Sequence, residues 1–134
     1  MRNKLADIIR SKWLQSAWLA AGWLTLMSIL FILPATAFPK ENFLDRIYFD
    51  KWVHIGLFAV LVFLWNNVFP GHTWLIIIAA GIYGLLVEWV QGTWVPNRSF
   101  DIYDWTADAA GIILGLFVWL RAVRVAGAKK NKPL

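Results

Sequence analysis

Residues 101–120 read DIYDWTADAAGIILGLFVWL, and they give the strongest indication of the fold. Its last twelve residues carry no charge, and Asp101, Asp104 and Asp108 precede them. Steps of three, four, three and four residues lead from these acids to Gly111 and Gly115, so all five lie on one stripe of a helix. Polar side chains that continue a packing face of small residues point into a helix bundle and away from lipid. The stretch therefore predicts a membrane helix whose acids face other helices.

The composition of the whole chain agrees with a membrane protein. Of the 134 residues, 60% are hydrophobic and 16% are charged, whereas a water-soluble domain carries roughly a quarter charged residues. The aliphatic and aromatic content excludes a disordered chain, and the absence of cysteine excludes a disulfide framework. The net charge of +5 is concentrated at the two ends of the chain and is not interleaved with aromatic residues, so nucleic acid is not an expected partner.

Three more uncharged stretches complete the pattern, at residues 13–39, 55–71 and 73–87. A bilayer core requires about 20 mostly apolar residues in a helix, so the shorter stretches must extend through a polar residue at one end. We predict an all-α membrane protein with a single domain, residues 1–134, folded as a compact bundle of four transmembrane helices. The helices are expected near residues 13–33, 51–69, 73–92 and 103–122.

The basic residues predict the orientation of this bundle. Nine of the thirteen Lys and Arg residues lie in the two terminal tails, which share a side with the turn at Pro70-Gly71 when there are four spans. The positive-inside rule makes that side cytoplasmic. The first apolar stretch also exceeds the 7–15 residues or so of a secretory signal, so we expect it to be retained. The predicted protein crosses the cell membrane several times and has both termini in the cytoplasm.

This topology brings the polar groups within the spans to the outer side. Lys51 and His54 begin the second helix, Glu88 and Gln91 end the third, and the three acids of the opening stretch lead into the fourth. A rise of 1.5 Å per residue places His54, Glu88 and Asp108 at a common depth. Ionisable groups inside a membrane are costly and mark functional sites. The predicted binding residues are Lys51, His54, Glu88, Gln91, Arg98, Asp101, Asp104 and Asp108.

The spacing of these residues resembles a known family. Asp50-Lys51-x-x-His54, Glu88-x-x-Gln91 and Pro96-x-Arg98-x-x-Asp101-x-x-Asp104-x-x-Ala107-Asp108 are similar to motifs of the VanZ-like family of small bacterial membrane proteins. The family's usual Pro-Gly-Arg stands here as Pro96-Asn97-Arg98, and Asn can adopt the same turn conformation as Gly. The resemblance implies a protein of the bacterial inner membrane linked to low-level resistance to glycopeptide antibiotics such as teicoplanin. It implies no particular reaction.

Three hypotheses for the polar residues remain open. In the first, they bind an amphiphilic envelope lipid, a lipid-linked cell-wall precursor or a lipoglycopeptide antibiotic. Lys51 and Arg98 would then contact phosphate or carboxylate, and the acids would accept hydrogen bonds from hydroxyl or ammonium groups. In the second, the protein is a membrane-interface enzyme that acts on a lipid-linked substrate by acid–base catalysis, with His54, Glu88 and Asp108 as candidate catalytic residues. No nucleophile is obvious in the sequence, so enzymatic activity stays open.

In the third hypothesis the polar residues only hold the helices together. Lys51 and Arg98 would pair with Asp101 and Asp104, His54 would bond to Glu88, and Gln91 would cap the loop. This hypothesis needs no ligand, yet four short helices require fewer ionisable groups than this to fix their register.

The same residues lead to predictions about metals, cofactors and partners. A metal site can be drawn from His54, Glu88 and Asp108, but only one His lies on that side and two-His sites are commoner, so we predict neither a metal nor a cofactor. The expected partners are membrane lipids, with a cell-wall precursor or a glycopeptide antibiotic as candidate ligands. Gly111-x-x-x-Gly115 either packs the fourth helix within the bundle, which is favoured, or forms a homodimer.

Overall fold

The computed structural model describes residue 8 and residues 11–37 and 48–128, and its regular elements are helices. In chain order they are α1 (Ala17–Ile32), α2 (Phe49–Val68), α3 (Thr73–Trp94) and α4 (Ile102–Ala128), with a short 3-10 turn at Ala35–Ala37. No strand occurs among the residues described. By length and composition α2, α3 and α4 are each able to cross a membrane, while α1 is apolar but has only 16 residues. The predicted all-helical bundle is confirmed.

The first helix is shorter than the predicted range of 13–33. Residues 11–15 form a turn and Ser16 has an extended backbone, so α1 begins only at Ala17. It ends at Ile32, where Leu33 N–H still donates to Ile29 O at 3.2 Å. Pro34 stops the helix because it has no N–H and disfavours helical geometry in the residue before it. The α1 carbonyls in the last turn are therefore left for partners outside the helix.

The other three helices extend beyond the predicted ranges. Helix α2 starts at Phe49, directly after Tyr48, whose φ of 51° is left-handed, and α3 continues to Trp94. Helix α4 reaches Ala128 instead of residue 122. The uncharged stretch ends at Leu120, but charge ends an apolar span and not a helix, and α4 continues through Arg121 and Arg124 because Arg is a strong helix former.

The most extensive helix contact joins α2 and α4, and two glycines make it close. A Cβ atom on Gly111 would meet Ile55 O, and one on Gly115 would meet the backbone of Ala59. The two helices therefore approach with backbone against backbone, as small residues allow in membrane proteins. Both glycines face α2 inside the bundle, which agrees with the favoured alternative for Gly111-x-x-x-Gly115.

Helices α2 and α3 form the centre of the bundle, because α1 and α4 each pack against both of them. The buried apolar core contains Phe58 and Val62 of α2, Met27 of α1 and Ile112 of α4. Hydrogen bonds between spans add direction to this packing. The Trp23 indole N–H donates to Leu57 O at 3.1 Å, and the hydroxyls of Ser28 and Tyr83 lie 2.7 Å apart.

Large apolar side chains cover much of the outer surface of the bundle. Leu75, Ile78 and Ile82 follow one another along α3 and are each more than half exposed, as are Ile113 and Phe117 of α4. Water would leave such a surface unstable, whereas lipid tails are as apolar as the side chains themselves. The exposed surface is thus suited to contact with lipid, while the buried ionisable residues, His54, Glu88, Asp104 and Asp108, are gathered at one end.

Candidate functional site

One end of the bundle, called the polar end below, holds all the predicted site residues. At this end α1 and α3 terminate and α2 and α4 begin. Helical spacing directs the polar residues of α2, α3 and α4 toward the bundle axis, so they meet although they are far apart in sequence. They form two layers: a mouth layer of Lys51, Asp101 and Asp104, and an inner layer of His54, Glu88 and Asp108.

The mouth layer is an ion-pair cluster that joins α2 to the start of α4. Lys51 Nζ lies 2.6 Å from Asp104 Oδ1 and 3.1 Å from Asp101 Oδ2, and it lies 3.4 Å from the more exposed Asp50. The side chain of Lys51 is 23% exposed and that of Asp101 is 34% exposed, so this layer is partly open to the exterior. Short charge-assisted hydrogen bonds of this kind are stronger than neutral ones.

Asp101 has a second role as the residue that starts α4. Its Oδ1 accepts the N–H of Tyr103 at 2.8 Å, which caps the helix, and its own N–H donates to Glu88 Oε2 at 3.1 Å. Partial burial raises the pKa of Asp101, but the hydrogen bonds from Tyr103 N–H and the Lys51 ammonium outweigh it and hold that pKa below its ordinary value. The carboxyl group is therefore stabilised as a carboxylate.

The inner layer is withdrawn from the exterior. His54, Glu88 and Asp108 are 2%, 0% and 1% exposed, respectively. His54 Nδ1 lies 2.7 Å from Asp108 Oδ1, and the imidazole packs on the Phe31 ring with 4.8 Å between ring centroids. Gly84 provides space for this pair, because a Cβ atom there would lie 2.8 Å from Asp108 Oδ2. The fold thus fixes the orientation of the imidazole.

Two carboxylate oxygens of the inner layer are buried without a hydrogen bond. Glu88 uses Oε2 for the Asp101 N–H and leaves Oε1 without a partner among the described residues, and Asp108 likewise leaves Oδ2. Buried polar atoms are nearly always satisfied in folded proteins, so each exception requires an explanation such as a water molecule, an ion or a functional role.

Helix α1 contributes backbone carbonyls to the polar end. Gln91 Nε2 donates to Phe31 O at 3.0 Å, and Arg98 Nε donates to Leu33 O at 3.3 Å. These contacts could not be predicted from residue types, because every residue has a backbone carbonyl. Pro34 was the available signal, since it ends α1 and leaves the preceding carbonyls without helical donors.

Several predicted pairings differ from those in the structure. His54 pairs with Asp108 and not with Glu88. Lys51 contacts Asp101 and Asp104 as predicted, and Arg98 Nε donates to the carbonyl of Leu33, the residue after α1. Gln91 donates to α1 instead of capping the loop. His54, Glu88 and Asp104 offer ligand atoms within 4.8 Å of one another. The possible metal site in the structure thus contains Asp104 in place of the predicted Asp108.

An apolar groove leads from the outer surface to the polar end. It lies between α1 and α3, has a volume of about 120 Å³, and is lined by Tyr83, Leu86 and Val90 together with Phe31 and Gln91. Phe31 contacts His54, and Gln91 lies one turn from Glu88 on the same helix. The groove therefore lies beside the polar cluster, with Phe31 and Gln91 between the two.

Comparison with known proteins gives the family. The sequence model of the VanZ/LLP1 family matches residues 7–124, which include every residue of the two layers. No curated protein and no solved structure matches the chain significantly. Membership fits a membrane protein linked to glycopeptide resistance, and it agrees with the resemblance of the motifs at the polar end. The chain belongs to the VanZ/LLP1 family.

Proposed function

We propose that the polar end binds an amphiphilic envelope molecule: a lipid, a lipid-linked cell-wall precursor or a lipoglycopeptide antibiotic. One observation carries this proposal. The apolar groove between α1 and α3 and the charged cluster meet at Phe31 and Gln91, so an acyl chain and a polar headgroup find adjoining sites. Binding of this kind would give the protein its role in glycopeptide resistance.

The mouth layer supplies the chemistry for the headgroup. Lys51 can contact a phosphate or a carboxylate, while Asp101 and Asp104 can accept hydrogen bonds from hydroxyl or ammonium groups. Lys51 Nζ already lies 2.6 Å from Asp104 Oδ1 and 3.1 Å from Asp101 Oδ2. A headgroup must therefore replace some of these ion pairs when it binds. Such exchange favours a headgroup that carries both charge and hydroxyl groups over a purely anionic one.

The proposed setting is the bacterial inner membrane, with the polar end at the outer leaflet. The orientation follows from the basic tails, which contain nine of the thirteen Lys and Arg residues and would lie in the cytoplasm. Cell-wall precursors and glycopeptide antibiotics would then reach the mouth layer from the outer side of the membrane.

Labelling with a photoreactive amphiphile tests the proposal. The probe is teicoplanin or a lipid-linked cell-wall precursor with a diazirine in its acyl chain, applied to the full chain in detergent. Leu86→Trp fills the groove, whereas Leu85→Trp places the same side chain on the neighbouring exposed position outside it. We expect labelling of the wild type and of Leu85→Trp, and a several-fold loss in Leu86→Trp and in Asp104→Asn.

Two outcomes would overturn this proposal. One is equal labelling of the four proteins, and the other is labelling no stronger than that by a diazirine-bearing hydrocarbon without a headgroup. In either case the polar cluster would be a structural network that holds α2, α3 and α4 in register.

The His54–Asp108 pair favours a second candidate function. A carboxylate 2.7 Å from Nδ1 holds an imidazole in one orientation, as required of a general base. In this alternative the protein is a membrane-interface enzyme on the same class of lipid-linked substrate, with Glu88 as the partner acid. Turnover of a defined lipid by the purified protein, lost in both His54→Gln and Glu88→Gln, is the result that it requires.

A further inference from the structure

We propose that His54, Glu88 and Asp104 form a binding site for a divalent transition-metal ion, with Asp108 as the residue that positions His54. This site goes beyond the proposed amphiphile binding, because the ion would bind without any amphiphile present. It also replaces the sequence-based prediction of no metal, which drew the ligand set with Asp108.

The geometry of the three side chains supports a shared ion. One ring nitrogen of His54 and one carboxylate oxygen each of Glu88 and Asp104 lie within 4.8 Å of one another, and all three residues are buried. Ligands at 2.0–2.2 Å from a tetrahedral ion lie about 3.4 Å apart, so the three atoms need to move inward by little more than about 1 Å. Rotation of the carboxylate groups supplies movements of this size.

The unpartnered oxygen of Glu88 is independent evidence for a ligand. Glu88 is fully buried, its Oε2 accepts the Asp101 N–H at 3.1 Å, and its Oε1 has no hydrogen-bond partner among the described residues. A buried carboxylate oxygen without a donor is unfavourable in a low-dielectric region, because its lost hydration is not replaced. A metal ion bound to this carboxylate would remove that cost.

Asp108 places the imidazole of His54 in the orientation that metal sites use. Asp108 Oδ1 lies 2.7 Å from His54 Nδ1, which leaves Nε2 as the nitrogen available to an ion. Histidine ligands in metalloproteins almost always donate the second ring N–H to a carboxylate, a carbonyl or water, because this contact fixes the tautomer and raises the basicity of the ligand atom. Asp108 would fix the tautomer of His54 in this way without being a ligand of the ion.

The charge of the cluster also favours a divalent cation. The two layers contain four carboxylates, those of Glu88, Asp101, Asp104 and Asp108, and one ammonium group, that of Lys51, which pairs with Asp101 and Asp104. Their formal charges leave an excess of three negative charges when His54 is neutral. A divalent ion would reduce this excess to one while leaving Asp104 Oδ1 paired with Lys51, because the second oxygen of the same carboxylate can bind the ion.

The donor set indicates the kind of metal. One imidazole nitrogen with two carboxylates suits Zn²⁺ or Mn²⁺, whereas Mg²⁺ and Ca²⁺ prefer oxygen ligands alone. Three protein ligands leave a fourth position open, as in zinc sites that bind a water molecule or a substrate oxygen. In this protein that position would take an oxygen atom of a hydroxyl or phosphate group.

Titration of the full-length protein with ZnCl₂ or MnCl₂ tests this site. The chain is purified in detergent through a tag without histidine, stripped with EDTA, and titrated calorimetrically in the absence of any amphiphile. We expect one ion per chain in the wild type and in Asp50→Asn, an exposed acid beside Lys51 that serves as the matched control. Glu88→Gln should lose binding, and Asp108→Asn should bind about 10–100-fold more weakly.

X-ray absorption at the zinc edge provides a second measurement that needs no variant of the inner layer. The chain has two histidines, so the sample is His72→Gln, which leaves His54 as its single imidazole. Zinc with an imidazole ligand and oxygen ligands supports the site. Zinc without imidazole, no uptake of either ion by the wild type, or unchanged affinity in Glu88→Gln would overturn it. Since none of these measurements includes an amphiphile, their failure leaves the amphiphile proposal to its own test.

Discussion

At the scale of single residues, Lys51 and His54 organise the polar end in different ways. Both begin α2, one turn apart, yet Lys51 contacts the partly open Asp101 and the buried Asp104 while His54 contacts the buried Asp108. Exposed ion pairs contribute little to stability because water screens them, whereas buried pairs are costly to break. We therefore expect the contact between Lys51 and Asp101 to exchange more readily than the buried pair of His54 and Asp108.

The lowered pKa of Asp101 predicts how stability depends on pH. A carboxyl group with a lower pKa in the folded state than in the unfolded state contributes stability above its unfolded pKa of about 4 and loses this contribution as the pH falls through the folded value. The wild type should therefore have a higher melting temperature in detergent than Asp101→Asn at pH 7, and the difference should shrink below about pH 4. Circular dichroism at a series of pH values measures both proteins, and a constant difference down to pH 3 would contradict the prediction.

The positions of the site residues were more predictable than their partners. Spacing by three and four residues placed Glu88 with Gln91, and Asp104 with Asp108, on inward faces, and all four are buried. The choice of Asp108 over Glu88 as the partner of His54 depends on how far each helix is rotated and shifted along its axis. A single sequence does not encode these rotations in any local pattern.

At the scale of helices, the close approach of α2 and α4 leads to a second prediction. A methyl group at Gly115 would meet backbone atoms of Ala59, which cannot rotate away as a side chain could. We expect Gly115→Ala to destabilise the protein by about 1–3 kcal/mol, the range for overpacking. Gly127→Ala is the matched control, because no atom lies within 4 Å of its Cβ position.

Thermal unfolding in detergent compares these two glycine variants of α4. The control should be neutral or slightly stabilised, since Ala has the higher helix propensity by about 1 kcal/mol. Equal melting temperatures for Gly115→Ala and Gly127→Ala would show that the α2–α4 contact tolerates an added methyl group.

The helices themselves followed from the sequence because uncharged stretches and prolines are local signals. Their ends were less predictable: residues 13–15 belong to the first uncharged stretch but lie in a turn, and α4 continues past Arg121 and Arg124. Hydropathy reports where a span meets lipid, whereas helix ends depend on backbone hydrogen bonds.

At the scale of the whole molecule, the proposed orientation leads to a third prediction. The chain contains no cysteine, so single cysteines can be introduced without a background. Ser99→Cys lies at the polar end and Gly71→Cys lies in the turn at the opposite end, and both positions are exposed. A membrane-impermeant maleimide should label Ser99→Cys in intact cells and label Gly71→Cys only after the membrane is opened. The reverse pattern would invert the orientation.

The length of α1 has a consequence for the membrane around the protein. Sixteen helical residues span about 24 Å, several ångströms less than the roughly 30 Å of a hydrocarbon core. A short span causes the bilayer to thin locally or draws flanking residues toward the interface. At the polar end this thinning would occur beside Phe31 and Leu33, whose carbonyls accept hydrogen bonds from Gln91 and Arg98. In the proposed orientation, hydrophobic mismatch would thus bring the headgroup region of the outer leaflet closer to the opening of the apolar groove.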